Sequence, residues 1–222
     1  MSINTIILLL FTFDIVFAFV YYFFYPQIYG IAGEYWVKKE LRRLSTEYIV
    51  LNDIMIANNG KTTQIDHIVI SPYGIFVIET KHYHGFIRGG DAYKMWRQYY
   101  GKSYHEFYNP TRQNYGHTVA LSQQLDLPMD QFVPIICFTA QVKLKIDSRS
   151  HVVHIYELGK TIGQYRDIIV QQPTKIAHEI SSLNITDKTA RRQHIERVKK
   201  LNDNLSSTRK PQPSEILRLS GF

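Results

Sequence analysis

The chain has 222 residues, 45% of them hydrophobic, with 26 Lys and Arg against 19 Asp and Glu and a formal net charge of +7. That length allows one compact domain plus an appended segment, and the basic balance suits a polyanion such as nucleic acid or an acidic lipid surface. The single cysteine, Cys137, excludes an internal disulfide framework and a multi-cysteine zinc site, and its apolar setting FVPIICFT marks it as core.

Ile3 to Tyr25 reads INTIILLLFTFDIVFAFVYYFFY and is apolar but for Asn4, Thr5, Thr12 and Asp14. A helix of that length, rising about 1.5 Å per residue, would span a ~30 Å hydrocarbon core. Asp14 costs a few kcal/mol there; it is either a contact to a partner helix or an acid that the long apolar flanks carry. The n-region has no Lys or Arg and no small-residue cleavage site follows, so residues 1–26 are expected to be a transmembrane anchor rather than a cleaved signal. Tyr21, Tyr22 and Tyr25 suit an interfacial belt. Lys38, Lys39, Arg42 and Arg43 follow, which puts the N-terminus outside and the rest of the chain in the cytoplasm.

After Pro26 and a Gly30–Gly33 linker, Glu34 to Leu44 carries Trp36, Val37, Leu41 and Leu44 at helical spacing. Glu34 sits in the first turn, where it either favours the helix dipole or points into a site. Tyr48–Ile54 reads as a strand and Asn58-Asn59-Gly60-Lys61 as a turn. Gln64–Ser71 and Ile75–Lys81 are near-continuous apolar strands about Ser71-Pro72-Tyr73-Gly74. Strands are also expected at Gly85–Gly90, Tyr93–Tyr100, Ser103–Tyr108, Phe132–Thr139 and His151–Tyr156. Trp96 is read as packing. Helices are expected from Asn109-Pro110 to Leu125, then at Glu157–Val170, Thr174–Ser182 and Asp187–Asn204. The last is basic, either a nucleic-acid stripe or a solvated face. The expected division is an anchor at 1–26, a domain at 30–183 with its core at 30–139, a basic helix at 184–205 and a flexible tail at 206–222.

Charge is rare in the apolar hairpin Gln64–Lys81, so Asp66, Glu79 and Lys81 stand out. A tight turn between Ser71 and Gly74 pairs positions that sum to 145, which puts Asp66 opposite Glu79. Lys81, two residues on, shares that face. Two carboxylates so close repel unless a proton or cation intervenes. Mg²⁺ (or Mn²⁺) held by Asp66 and Glu79 is one resolution, with Lys81 beside a phosphodiester; a plain structural ion pair is the other. A one-residue slip in the turn would remove the arrangement.

Asp66 followed by Glu79-Thr80-Lys81 resembles the D…(D/E)xK core of restriction-endonuclease-like nucleases. Gly33-Glu34, Gln64-Ile65-Asp66-His67, Tyr73 to Lys81, Gly85, Trp96 and Asn109-Pro110 with Gln113 and His117, in that order, resemble the nuclease-related domain (NERD) family. Ile65 stands where that pattern has proline. The resemblance implies an α/β fold, a three-layer restriction-endonuclease-like core with a central mixed sheet flanked by helices, here preceded by one transmembrane helix. It implies that Glu34, Asp66 and Glu79 are acidic site residues, Lys81 the catalytic lysine and Gln113 an accessory polar group. His117 shares a helix face with Gln113 and is either a phosphate contact or a satisfied buried histidine. His82 and His84 are read as surface residues. The activity implied is Mg²⁺-dependent hydrolysis of DNA or RNA at a membrane. The alternatives are a non-catalytic binding module of the same fold and a membrane scaffold.

Overall fold

The computed structural model describes residues 5, 12–17, 32–101 and 103–207. Most of the expected anchor, the linker through Gly30, Lys102 and the tail from residue 208 lie outside these. Among the described residues no helix is long and apolar enough to cross a membrane.

The first described element after the N-terminal segment is a helix, α1 (32–41). Then come β1 (Ile49–Asn58), β2 (Lys61–Ser71), β3 (Gly74–Lys81), β4 (Gly85–Gly90), β5 (Met95–Tyr100) and β6 (Ser103–Tyr108). Helix α2 (Pro110–Leu125) is followed by a 3-10 turn (Met129–Gln131), β7 (Phe132–Phe138), β8 (Val142–Asp147), β9 (His151–His154), α3 (Ile155–Ile162), α4 (Pro173–Leu183) and α5 (Lys188–Ser207). The protein is therefore a mixed α/β structure.

The strands form two sheets, one five-stranded in the order β1-β2-β3-β7-β9 and one four-stranded in the order β6-β5-β4-β8. In the first, β1, β2 and β3 run antiparallel, while β3–β7 and β7–β9 are parallel. Both faces of this sheet are covered, which explains its continuous apolar runs. On one face Ile68, Ile70, Ile75 and Val77 pack against Ala120 and Leu121 of α2 and Ile176, Ala177 and Ile180 of α4. On the other, Val69, Phe76, Ile78 and Cys137 pack against Val37 and Leu41 of α1 and Leu158 and Ile162 of α3. Each fully buried Leu, Ile or Val contributes about 1.5–3 kcal/mol relative to exposure. The second sheet rests one face on Ile136 and Phe138 through Ile87, Trp96, Phe107 and Val142.

Several expectations change in the structure. The single sheet is two, because Gly85 turns with φ +86 and starts a new layer. Strand β8 was not foreseen, since its alternating VKLKID run lies in a stretch with no turn signal strong enough to bound it. The strand expected to reach Tyr156 ends at His154, where the Glu157 carboxylate accepts from the His154 N–H and starts α3. Helix α3 in turn stops at Ile162, capped by Gly163, instead of running to Val170. The chain between α4 and α5 covers the free edge of β1. Ile185 N–H donates to the Met55 carbonyl (2.7 Å), and Met55 N–H to Asn184 Oδ1 (3.0 Å).

Candidate functional site

The hairpin register is the one that sums to 145, running from Ser71↔Gly74 to His67↔Ile78. Beyond that pair the ladder stops at Asp66. On its other side, β1–β2 pairing runs to Asn52↔His67, skips one position and resumes at Ile54↔Ile65. The skipped β1 residue is Asp53, which has φ +55. Ile49, Leu51, Ile54 and Ile56 all reach one core, as do Ile65, Ile68 and Ile70. Strict alternation would not allow that, so both strands slip by one residue relative to their own alternation at Asp53 and Asp66 while their mutual register is unchanged. β3 keeps its parallel pairing with β7 through Glu79↔Ile136, Thr80↔Cys137 and Lys81↔Phe138. The site occupies the opening this leaves between β2 and β3. There Asp66 Oδ2 accepts from the Thr80 N–H (2.8 Å) in place of a strand carbonyl.

Glu79 is 3% exposed, and its Oε1 accepts from Lys81 Nζ at 2.5 Å. Lys81 Nζ also donates to Gln113 Oε1 at 3.2 Å. The other carboxylate oxygen, Glu79 Oε2, lies 3.3 Å from His117 Nε2. That contact is close but poorly aligned, and both atoms are buried without a hydrogen-bond partner. His117 Nδ1 is 2.6 Å from Thr63 Oγ1. With Thr63 donating to Nδ1, the imidazole proton sits on Nε2 and faces the carboxylate. Both His117 nitrogens thus face protein atoms, so a phosphate contact through this ring requires it to turn from Glu79.

Helix α2 holds Gln113 and His117 in place. Asn109 caps it by accepting from the Thr111 N–H (2.9 Å), and its amide donates to the carbonyls of Gly90 and Tyr93. One turn on, the buried Asn114 amide donates to the Val77 carbonyl (2.8 Å) and the Ile135 carbonyl (3.1 Å). One side chain therefore pins α2 across the β3–β7 pair. Glu34 begins on α1 just after Gly33, where a Cβ would stand 2.9 Å from His82 Cβ and Thr139 Oγ1. Only glycine lets the helix approach this closely, and it leaves Glu34 exposed at the rim.

The charges are strongly coupled. Burial acts to raise the Glu79 carboxyl, but Lys81 and His117 outweigh it and hold it down at about 2. Burial and the Glu79 charge push Asp66 well above the usual carboxylate range, against Thr80 N–H and Lys81. Burial would lower Lys81, yet Glu79, followed by Tyr83, lifts it above the usual lysine range. The site thus holds an ionised Glu79, a cationic Lys81 and an Asp66 that resists ionisation unless a cation joins it. Although its side chain is exposed, the Glu34 carboxyl is raised, first by partial desolvation against neighbouring protein and then by the Asp53 and Glu79 charges.

Some participants escape sequence reasoning. Asp53 of β1 is the position opposite Asp66 of β2, but its turned backbone directs it to Gln64 Nε2 (2.7 Å) and Arg191 Nη1 of α5 (2.7 Å). Asn114 is one of several polar residues in α2, and only its partners on β3 and β7 single it out. Thr63 needed the strand slip to face His117. His67, one residue from Asp66, is buried and lowered to about 4 by that burial. His82 is half-buried and His84 exposed, with rings 5.3 Å apart.

Residues 29–139 match the family described as Nuclease-related domain. An uncharacterized protein of Bacillus anthracis is 36% identical over 179 residues, covering 77% of this chain and 84% of that protein. No solved structure matches. The match spans α1 through β7, the segment that supplies Glu34, Asp66, Glu79, Lys81, Gln113 and His117, so the chain belongs to the nuclease-related domain family.

Proposed function

We propose that the protein is a metal-dependent phosphodiester hydrolase acting on DNA or RNA, tethered to a membrane by residues 3–25. The observation that carries this reading is Glu79. It is buried beside Lys81 with its Oε2 lacking a hydrogen-bond partner, and burial together with the Glu79 charge acts to raise the nearby Asp66 carboxyl. An acidic pair in that condition favours a bound cation.

The donor set suits Mg²⁺ or Mn²⁺: Asp66 and Glu79 offer hard carboxylate oxygens. No group of three or more His, Cys, Asp or Glu among the described residues is close enough to cage an ion, so waters would complete the shell, as Mg²⁺ favours. When bound, such an ion supplies Lewis-acid charge and makes water a stronger nucleophile. Lys81, kept cationic by Glu79, presents N–H donors to a phosphoryl oxygen as negative charge builds on it. The same raised basicity makes it a charge stabiliser rather than a proton acceptor at neutral pH. Gln113 fixes the direction of Nζ. His117, oriented by Thr63, places its Nε2 3.3 Å from Glu79 Oε2 without a hydrogen bond to it. Glu34 adds negative charge at the rim, while the Asp53 charge is matched by Arg191.

For the anchor, residues 12–17 are helical and expose Phe13 (66%), Ile15 (56%), Val16 (59%) and Phe17 (61%), a surface that water disfavours and lipid accepts. The basic residues after the segment favour a cytoplasmic domain. Asp14 lies in that exposed stretch and is open to a partner helix.

The test is cleavage of plasmid, single-stranded DNA and RNA by the full chain in mild detergent, with Mg²⁺, Mn²⁺ or EDTA. Asp66→Asn keeps an acceptor for the Thr80 N–H and should lower turnover by about a hundredfold or more. Equal behaviour of wild type and Asp66→Asn with every metal would sink the hydrolase reading and leave a non-catalytic binding module.

A further inference from the structure

The second sheet has a face that none of the above uses. Its inner residues, Ile87, Gly89, Trp96, Gln98 and Phe107, are buried. The outer residues line up across the strands in two rows. One row is Tyr104, Tyr99, Phe86 and Lys143, from the pairings Tyr99↔Tyr104, Phe86↔Tyr99 and Phe86↔Lys143. The next is Glu106, Arg97, Arg88 and Lys145. Directly paired residues share a face, so an aromatic row lies beside a basic one.

The aromatic row is regular. Phe86 and Tyr99 have ring centroids 5.7 Å apart, and Tyr99 and Tyr104 also 5.7 Å. All three are half-buried. Arg97 is fixed between the rows, its Nε donating to Glu106 (2.8 Å) and its Cζ standing 4.9 Å from the Tyr104 ring centroid. Arg88, Lys143 and Lys145 are exposed, and none has an ion-pair partner among the described residues. Between the rows and Tyr93 and Lys94 lies a cleft of about 370 Å³.

Evenly spaced π-faces next to free cations match a polymer that alternates flat bases with phosphates. Base–aromatic stacking tolerates any sequence, while cations track the backbone. A duplex hides its base faces, so it could use only the cations. A lipid surface takes protruding apolar tips, whereas these rings are half-buried. We propose that this face binds single-stranded nucleic acid. It lies next to the acidic site in the chain: β4 begins four residues after Lys81, and the linking Tyr83 packs its ring 4.6 Å from Phe107 and lies near Lys81. That the bound strand is the substrate rests on the hydrolase reading; the binding itself does not.

The experiment is fluorescence anisotropy of the full chain in detergent and EDTA, with a labelled oligothymidylate and, in parallel, a duplex. Wild type should bind the single strand more tightly than the duplex. Tyr99→Ala and Tyr104→Ala should each weaken it about tenfold or more, while Tyr99→Phe, which keeps the ring, should bind like wild type. Lys145→Gln should reduce the slope of log affinity against log salt by about 0.7. Should a Tyr→Ala variant fail to fold, the exposed pair Arg88→Gln and Lys145→Gln carries the test through the same slope. Asp66→Asn should retain full binding, so loss of cleavage with binding intact would speak to the acidic site alone. Single-strand affinity unmoved by the alanine variants, or a duplex bound as tightly, would overturn the proposal. So would a preference for phosphatidylserine over phosphatidylcholine vesicles that these variants abolish while oligonucleotide binding persists.

Discussion

Glu79 and Lys81 form a pair with little exposure, and the free energy of such a pair lies more in the loss of one partner than in the pair itself. Removing one charge leaves the other desolvated at a cost of about 3–5 kcal/mol, whereas removing both is often near neutral. Lys81→Ala should therefore destabilise the protein by roughly that amount, and Glu79→Gln with Lys81→Ala should recover most of it. Urea unfolding of the wild type, two single variants and the double variant closes the cycle. Additive losses would mean that the pair is solvated. For the same reason Lys81→Ala alone is a poor probe of chemistry. Asn114→Ala should cost about 1–3 kcal/mol for each buried carbonyl it leaves unpaired. It should also lower turnover, because α2 carries Gln113 and His117; unfolding and kinetic measurements on one preparation would show whether the two losses travel together.

At the scale of elements, α5 is docked by its charges. Arg191 bonds to Asp53 and Asn184, and Arg197 Nη2 reaches the Thr62 carbonyl and hydroxyl, each at 2.8 Å. Between them His194 Nδ1 is 2.9 Å from Thr62 Oγ1. The basic helix is thus partly a clamp on β1 and β2, and Lys188, Arg192, Lys199 and Lys200 remain on its exposed surface. Burial first, then Arg197, with His117 and Arg191 adding, lowers His194 from its ordinary 6.5. A depressed histidine favours its neutral form in the folded state. Its contribution is complete above the unfolded pKa and is lost as pH falls through the folded one. Below about pH 6.5 the protein should lose stability and α5 should exchange its amides faster. His194→Gln should remove part of that slope in thermal unfolding between pH 5 and 8, and an unchanged slope would show that His194 is not the group responsible. In the second sheet a Cβ on Gly89 would clash with the indole ring of Trp96, which is fully buried. Gly89→Ala should cost about 1–3 kcal/mol, read by urea unfolding.

On the scale of the whole molecule, one face of the second sheet packs on Ile136 and Phe138 of the first, with the acidic site at the start of the link between the two. A tether at residues 3–25 would hold that assembly at a membrane surface. The full chain should then stay with membranes through high salt and alkaline carbonate, and a chain lacking residues 1–26 should be released. Extraction of the full chain by carbonate would rule out a spanning anchor. Its orientation is tested by protease digestion of sealed vesicles, where a cytoplasmic domain is protected in right-side-out preparations and cut in inverted ones.

Local chemistry made much of this legible in the sequence. Turn residues at Ser71 to Gly74 set the hairpin register, because side chains alternate with period two and a one-residue slip would move Ile68 and Ile70 from the core under α2 and α4 to the opposite face of the sheet. The Asn109-Pro110 start of α2 is equally local, since cap and first-turn proline act within a few residues. Asp66, Glu79 and Lys81 stood out because charge is expensive in an apolar strand. What tertiary structure alone decided involves partners distant in sequence. The slip at Asp53 and Asp66 depends on two strands yielding together. Asn114 matters through carbonyls 37 and 21 residues away, and Arg191 through a residue 138 positions earlier. Whether Gly85 continued one sheet or began another depended on Ile87 and Trp96 finding Ile136 and Phe138 to cover them. Periodicity reports that a face is apolar; only the packed chain reports what covers it.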